Sequence, residues 1–225
     1  MKQFVQALSG RAEFLIVVLG SLGLLLLTNL QVLLDPGLAA QAPPFTNEAL
    51  ISNLIYEVFV LAWLGLFMKV RGWTFERLGF SIGLRDTAIG LLLAIVVFCA
   101  MWLIQQIMSS AAPASFEAAR RFDKVSGDLD LWALLVGAAV DAVFEELFAC
   151  AYVISALKEK RSAAFALNVS ILLRVGLHVY QGVYGALIGA AWGVVFGYWY
   201  VKSGRVWPLF VAHAALFIAL VMLAP

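Results

Sequence analysis

The chain has 225 residues, of which 64% are hydrophobic and 13% are charged, so it is too apolar to form the polar surface of a soluble domain. Its net charge is +1 and its basic residues are scattered, which excludes nucleic acid as a partner. Cys99 and Cys150 lie in apolar runs, where a thiol behaves as a small hydrophobic group, so neither a disulfide framework nor redox chemistry is indicated.

The apolar runs predict an all-α fold, a polytopic transmembrane bundle of about seven or eight helices, with the lipid bilayer as its surroundings. A helix needs about 20 apolar residues to cross the hydrocarbon core. The first run follows a short basic stretch, but it is too long for a signal peptide and lacks a convincing cleavage site. The predicted spans are residues 14–34, 50–68, 87–108, 131–157, 163–179, 183–201 and 206–223.

The connecting segments predict the orientation, because short loops rich in Lys and Arg stay in the cytoplasm. With the N-terminus inside, one side receives Lys2, Arg11, Lys69, Arg71, Arg77, Arg85, Lys158, Lys160, Arg161, Lys202 and Arg205. The other side receives Arg120, Arg121 and Lys124, diluted by Glu117, Asp123, Asp128 and Asp130. We expect a cytoplasmic N-terminus, an extracytoplasmic C-terminus and a location in the bacterial inner (plasma) membrane.

The ionisable residues divide the chain into two parts of one membrane domain. Residues 1–130 read mainly as a scaffold, in which Glu57, with Asn53 one turn earlier, is the exception. The scaffold includes an interfacial segment, residues 71–85 (RGWTFERLGFSIGLR), which predicts a helix or hairpin on the cytoplasmic surface; a solvated connector explains the same pattern. Residues 131–225 form the motif-bearing core.

Six ionisable residues of that core lie within predicted spans: Asp141, Glu145, Glu146, Arg174, His178 and His213. A charged side chain at the centre of a transmembrane helix costs about 2.5 to 3.5 kcal/mol on insertion scales, so such a set indicates a functional site. Internal pairing, with Arg174 neutralising a glutamate, is the structural alternative. Gly185, Gly189, Gly193 and Gly197 recur at every fourth position and predict close packing of one helix face; a homodimer contact is the alternative.

Two mechanisms use these residues. In one, a glutamate activates water while imidazole groups stabilise the developing oxyanion. In the other, Glu145, His178 and His213 bind zinc, which activates the water. We favour the metal-free scheme without a cofactor, because the zinc-protease signature H-E-x-x-H is absent. Glu145 and Glu146 are about 100° apart around a helix, which predicts different roles for the two side chains.

Three segments together resemble the CAAX-protease and bacteriocin-processing (Abi) family of intramembrane proteases. The family motifs E-E-x-x-x-R, F-x-x-x-H and H-x-x-x-N/D correspond in order to EELFAC (145–150), RVGLH (174–178) and HAALF (213–217). The resemblance implies that Glu145 is the general base, that Glu146 and His178 position the water, and that His213 contributes to the oxyanion site. Asp141 and Arg174 are expected to support these catalytic residues.

The chain departs from the motifs at two positions. Cys150 stands where the family has Arg, and Phe217 stands where it has Asn or Asp. Arg174 occupies the usual Phe position of the second motif, and its charge would replace the missing guanidinium from another helix. The expected function is an intramembrane endopeptidase, glutamic or metal-dependent, acting on a membrane-associated or C-terminally tagged protein or peptide. The alternative is a catalytically weakened member that serves as a membrane scaffold or a bacteriocin self-immunity protein. No oligomeric state is predicted.

Overall fold

The computed structural model describes residues 2–35, 37–38, 46–120, 122 and 129–223, except the side chains of residues 2 and 4. The described chain forms helices and turns and contains no strand, which confirms the predicted all-α bundle. The helices are α1 (Lys2–Ala7), α2 (Gly10–Leu34), α3 (Asn47–Val70), α4 (Leu84–Ala111), α5 (Pro113–Arg120), α6 (Leu131–Glu145), α7 (Val153–Lys158), α8 (Ala163–His178), α9 (Gly182–Ser203) and α10 (Trp207–Met222).

Local signals explain where several helices begin and end. The hydroxyl groups of Ser9, Thr46 and Ser162 accept hydrogen bonds from the first turns of α2, α3 and α8, which satisfies backbone N–H groups that have no partner within the helix. Gly204 caps the C-terminus of α9, and its φ of 65° lies in the left-handed region that glycine adopts without strain. Capping residues therefore define the helix ends, which the apolar runs predict only approximately.

The fourth predicted span is one continuous helical path with a change of winding in its middle. Helix α6 passes into a π-helical segment, Glu146–Tyr152, and then into α7. The other long apolar stretches of the described chain are Gly10–Leu34, Asn47–Val70, Leu84–Ala111 and Ala163–Ser203, each long and apolar enough to cross a membrane; Trp207–Met222 is a shorter apolar helix. The last long stretch comprises α8 and α9, joined by a 3₁₀ turn at Val179–Gln181.

The outer surface of the bundle is apolar. Large hydrophobic side chains such as Leu19, Phe59, Leu92 and Leu172 are each more than half exposed. Such a surface suits lipid contact and would be unstable in water. The long apolar helices and this surface are those of an integral membrane protein.

The basic loops gather on one face of the bundle, which we call the basic face: residues 2–11, 69–86, 158–162 and 202–206. Arg71 Nη1 donates hydrogen bonds to the carbonyl oxygens of Val5 and Gln6. Arg77 forms an ion pair with Glu159, and the backbone N–H of Val206 donates to the Gly79 carbonyl at 3.0 Å. These contacts join all four segments.

The opposite, distal face contains residues 34–35, 46–47, 111–120, 122, 129–131 and 179–182. The backbone N–H of Asp130 donates to Asn47 Oδ1 at 2.9 Å, and the rings of Phe122 and Tyr180 meet edge to face with centroids 5.0 Å apart. Four charged residues assigned to this side from the sequence lie outside the described residues: Arg121, Asp123, Lys124 and Asp128.

The segment predicted as an interfacial helix or hairpin is neither. Residues 71–83 form a series of turns, because buried side chains anchor them to the bundle. Trp73 is buried and donates its indole N–H to Glu13 Oε1 at 2.7 Å, while the Phe80 ring packs against Trp207 and Phe210. The aromatic residues thus serve tertiary packing on the basic face.

The glycine ridge of α9 packs within the chain, against α8. A Cβ atom at Gly189 would lie 2.7 Å from the Arg174 carbonyl oxygen, and one at Gly193 would lie 3.0 Å from Ile171 Cα. Small residues let the two backbones approach this closely. The ridge therefore fixes the position of α8, the helix that carries Arg174 and His178.

Candidate active site

A buried guanidinium joins the two adjacent glutamates. Arg174 Nη1 donates to Glu145 Oε2 at 2.5 Å, and Arg174 Nη2 donates to Glu146 Oε1 at 2.6 Å. The Arg174 side chain is 2% exposed, that of Glu146 is fully buried and that of Glu145 is 14% exposed. One planar fork thus binds two carboxylates, which offsets part of the cost of burying all three charges.

His213 extends this cluster towards α6. Its Nδ1 lies 2.7 Å from Glu146 Oε1, and its Nε2 lies 3.2 Å from Asp141 Oδ2. The Trp192 ring meets the imidazole edge to face, with centroids 4.7 Å apart. Both ring nitrogens therefore face carboxylate oxygens, and the ring is held on three sides.

His178 lies at the end of α8 with one ring nitrogen occupied. Its Nδ1 lies 3.0 Å from the Arg174 carbonyl oxygen, which can only accept, so Nδ1 carries the proton of this hydrogen bond. In the neutral ring the lone pair is then on Nε2. The Trp192 ring lies next to His178 as well as His213, with a centroid distance of 6.0 Å to His178.

A cavity of about 600 Å³ adjoins these residues. Asp141, Glu145, His178 and His213 line it, whereas Glu146 and Arg174 do not contribute to its wall. The offset of about 100° between adjacent helical residues predicts this difference between the two glutamates. The sequence offered pairing of Arg174 with one glutamate as the structural alternative; in the structure its guanidinium binds both carboxylates. All six residues singled out from the sequence thus lie in one connected cluster.

The scaffold part, residues 1–130, contributes Glu57 to the site, a residue for which the sequence analysis predicted no role. Glu57 of α3 is 1% exposed and lines the same cavity, beside Asp141. Asn53 Nδ2 donates to Glu57 Oε1 at 2.8 Å, while Glu57 Oε2 is buried without a hydrogen-bond partner among the described residues. The available signal was that Glu57 is the one charged residue in the interior of the first three predicted spans.

The two positions that depart from the family motifs both lie at the site. Cys150 is 1% exposed, in the π-helical segment and beside Ser170. Ser170 Oγ donates to the Ala149 carbonyl at 2.7 Å, which satisfies a carbonyl group where the winding changes. Phe217 lines the cavity with Glu57 and Asp141. Because the Cys150 side chain is small, the Arg174 guanidinium has room next to the two glutamates.

The group of possible metal ligands at the site is already engaged by other protein side chains. Atoms of Glu145, Glu146 and His213 lie within 4.8 Å of one another, a group of metal-ligand type that includes two of the three predicted ligands but not His178. Both carboxylates, however, already bind the Arg174 guanidinium, and both nitrogens of His213 face carboxylates. A ligating histidine needs a free nitrogen lone pair, and a dication beside a guanidinium is repelled.

Fold and site define a polytopic helical membrane protein with a carboxylate–histidine cluster in a bilayer-embedded cavity. Residues 127–218 match the family model described as "Type II CAAX prenyl endopeptidase Rce1-like". This match confirms the resemblance to the CAAX-protease family over that segment and supports a CAAX-type intramembrane endopeptidase in general. No curated protein and no solved structure matches the chain.

Proposed function

We propose that the chain is an intramembrane endopeptidase that hydrolyses a peptide bond of a membrane-associated or C-terminally tagged protein by a metal-free mechanism. The observation that carries the proposal is that Glu145, His178 and His213 line one cavity inside a bundle of apolar helices. The family match over residues 127–218 supports the reaction class. The contacts of Arg174 with both glutamates support the metal-free scheme.

In the proposed reaction Glu145 is the general base. Its Oε2 binds Arg174, which leaves Oε1 to accept a proton from a water molecule in the cavity. The water oxygen attacks the carbonyl carbon, and the resulting tetrahedral intermediate breaks its C–N bond. Glu145 then returns the proton to the leaving amine, so the carboxylate is regenerated.

His178 and His213 position the groups that react. In the neutral ring, His178 Nε2 would accept a hydrogen bond from the attacking water, because the Nδ1–H group donates to the Arg174 carbonyl. The contacts of His213 with Glu146 and Asp141 support a positioning role. The oxyanion role that the resemblance implies for His213 requires Nε2 to leave Asp141.

We further propose that the N-terminus is cytoplasmic and that the bacterial plasma membrane is the location, since the basic loops share one face. We also propose, from the sequence, that residues 1–130 form a scaffold and that residues 131–225 form a motif-bearing core. Glu57 would then be the scaffold's contribution to the site.

One contact favours a second candidate, a non-catalytic scaffold or immunity protein that binds a peptide in the same cavity. The 2.5 Å ion pair engages Glu145 Oε2 with the buried Arg174 guanidinium, so this carboxylate already has a structural partner. In this case the cavity binds a peptide without cleaving it.

The test uses the purified protein in lipid vesicles with a set of membrane-anchored peptides, and mass spectrometry detects products. Glu145→Gln and His178→Ala are expected to remain folded, with a cooperative thermal unfolding transition, and to lose cleavage by about 10² or more. Glu48→Gln, an exposed substitution of the same chemistry at the start of α3, is the control and should cleave like the wild type. Full activity in both site variants would refute the enzyme proposal. Peptide binding that survives in Glu145→Gln, with no product from any variant, would establish the second candidate.

A further inference from the structure

The cavity occupies only one half of the bundle, the half next to the distal face. Its wall includes Asn29 near the end of α2, Gln105 near the end of α4, and Gln181 in the turn between α8 and α9. Arg120 and Phe122 of the distal face also line it. No residue of the basic face contributes to the wall.

A packed core separates the cavity from the basic face. Phe148, Tyr152, Ile154, Phe196 and Leu209 lie between the reactive residues and that face, and each is at most 1% exposed. Side chains packed at this density leave no passage for water or a peptide. Access to Glu145 therefore runs from the distal side.

The mouth of the cavity suits a peptide. Towards the distal face its wall, which we call the rim, includes the amide side chains of Gln105 and Gln181 and the ring of Tyr180, while the Asn29 amide donates to the Leu177 carbonyl at 2.6 Å. Amide groups donate to and accept from a peptide backbone, while rings pack against apolar side chains. Glu145 and His178 lie in the same cavity, deeper in the bundle.

The charge distribution assigns a compartment to each face. The basic face carries most of the Lys and Arg residues of the loops, including Arg71, Arg77 and Lys160, whereas the distal connection between α4 and α6 carries only Arg120, Arg121 and Lys124 among four acidic residues. Basic loops are retained in the cytoplasm. The distal face is then extracytoplasmic.

We propose that the cavity opens on the extracytoplasmic side and that its substrate is a peptide segment of an exported or membrane-anchored protein presented from that side. This inference rests on the proposed peptidase function and narrows it, because it excludes a cytoplasmic C-terminal tag as the cleaved segment. A substrate enters past the rim, and its scissile bond reaches Glu145 within the outer half of the bilayer.

Cysteine accessibility in intact cells tests the sidedness. The background is Cys99→Ala, since Cys99 is exposed on the bundle surface while Cys150 is buried. Single cysteines are placed at the rim, Gln105→Cys or Gln181→Cys, and on the basic face, Lys160→Cys. A charged, membrane-impermeant maleimide is expected to label the rim cysteines in intact cells and to label Lys160→Cys only after the membrane is permeabilised.

Three results would overturn the proposal. These are labelling of Lys160→Cys alone in intact cells, labelling of both faces, or rim cysteines that react only after denaturation. Two rim positions keep the test valid if one variant misfolds. Labelling does not depend on cleavage, so it tests the orientation of the cavity even if the protein is not a peptidase. The comparison of Glu145→Gln with the wild type tests the peptidase proposal separately.

A second measurement connects sidedness to substrate entry. Product formation by each cysteine variant in vesicles is compared before and after maleimide modifies Gln105→Cys or Lys160→Cys, and each variant is referred to its own unmodified activity. Blocking the rim should lower cleavage, whereas blocking Lys160→Cys should leave it unchanged. Unchanged cleavage after rim labelling would contradict entry at this site.

Discussion

Arg174 Nη2 donates a 2.6 Å hydrogen bond to Glu146 Oε1 across the interface between α8 and the π-helical segment. The same guanidinium binds Glu145, so a single side chain satisfies both members of the glutamate pair. The family motif takes its arginine from the glutamate helix itself, at the position that is Cys150 in this chain. In this chain the cation that binds the glutamate pair comes from α8 instead.

Arg174→Ala should destabilise the protein by about 3 to 5 kcal/mol, because it leaves two buried carboxylates without their cation. Thermal unfolding in detergent measures this loss, and cleavage should fall with it. Arg174→Lys is the matched control: the charge remains, but an ammonium group cannot form the planar fork, so an intermediate loss is expected. Wild-type stability in Arg174→Ala would contradict the importance of the ion pairs.

Arginine at position 150 should rescue part of that loss. The double variant Arg174→Ala/Cys150→Arg places a guanidinium where the family motif has one and should recover part of the cleavage and unfolding midpoint. Cys150→Arg alone should be destabilising, since two guanidinium groups would then compete for one buried site. No recovery in the double variant would leave Arg174 as a structural ion-pair partner without a share in the chemistry.

The membrane spans were predictable because hydrophobic length determines them. The predicted span 163–179 corresponds to α8 (Ala163–His178), and the predicted span 183–201 corresponds to α9 (Gly182–Ser203). Motif order and the cost of burying charge likewise singled out Glu145, His178 and His213, which line one cavity in the structure; their catalytic roles stay a prediction.

Other features depend on packing that no local pattern encodes. The π-helical winding at Glu146–Tyr152 requires Ser170 of another helix to satisfy the Ala149 carbonyl. Glu57 lies beside Asp141 only because α3 packs against α6. Residues 71–83 have the composition of an interfacial helix, but burial of Trp73 against Glu13 holds them in turns.

Glu57 is expected to support the site through Asp141. Glu57→Leu should destabilise the protein by about 1 to 3 kcal/mol, because the Asn53 amide loses its hydrogen-bond acceptor. Cleavage should fall as well, since Asp141 contacts His213. Glu57→Gln keeps an acceptor for the Asn53 amide and should unfold close to the wild type. Detergent unfolding and peptide cleavage measure the two effects. Normal stability and activity of Glu57→Leu would show that Glu57 has no role at the site.

Gly189→Ala should separate α8 from α9. The new Cβ would lie 2.7 Å from the Arg174 carbonyl oxygen and 3.1 Å from Val175 Cα, and backbone atoms cannot yield as a flexible side chain does. Overpacking of this kind costs about 1 to 3 kcal/mol, and displacement of Arg174 should lower cleavage. Gly65→Ala is the control, because a Cβ there meets nothing within 4 Å. Similar unfolding midpoints for the two variants would show that the close approach does not matter.

Chelation should leave the activity unchanged, because Arg174 and the carboxylates facing His213 already occupy the groups that zinc would need. The purified protein is treated with a strong chelator, dialysed and assayed for cleavage, while elemental analysis measures zinc in the untreated sample. We expect no stoichiometric zinc. Arg174→Ala is informative in the same assay, since removing the guanidinium frees both carboxylates, and this variant should bind zinc more tightly than the wild type. One zinc per wild-type chain, with activity lost on chelation and restored by zinc, would overturn the metal-free mechanism.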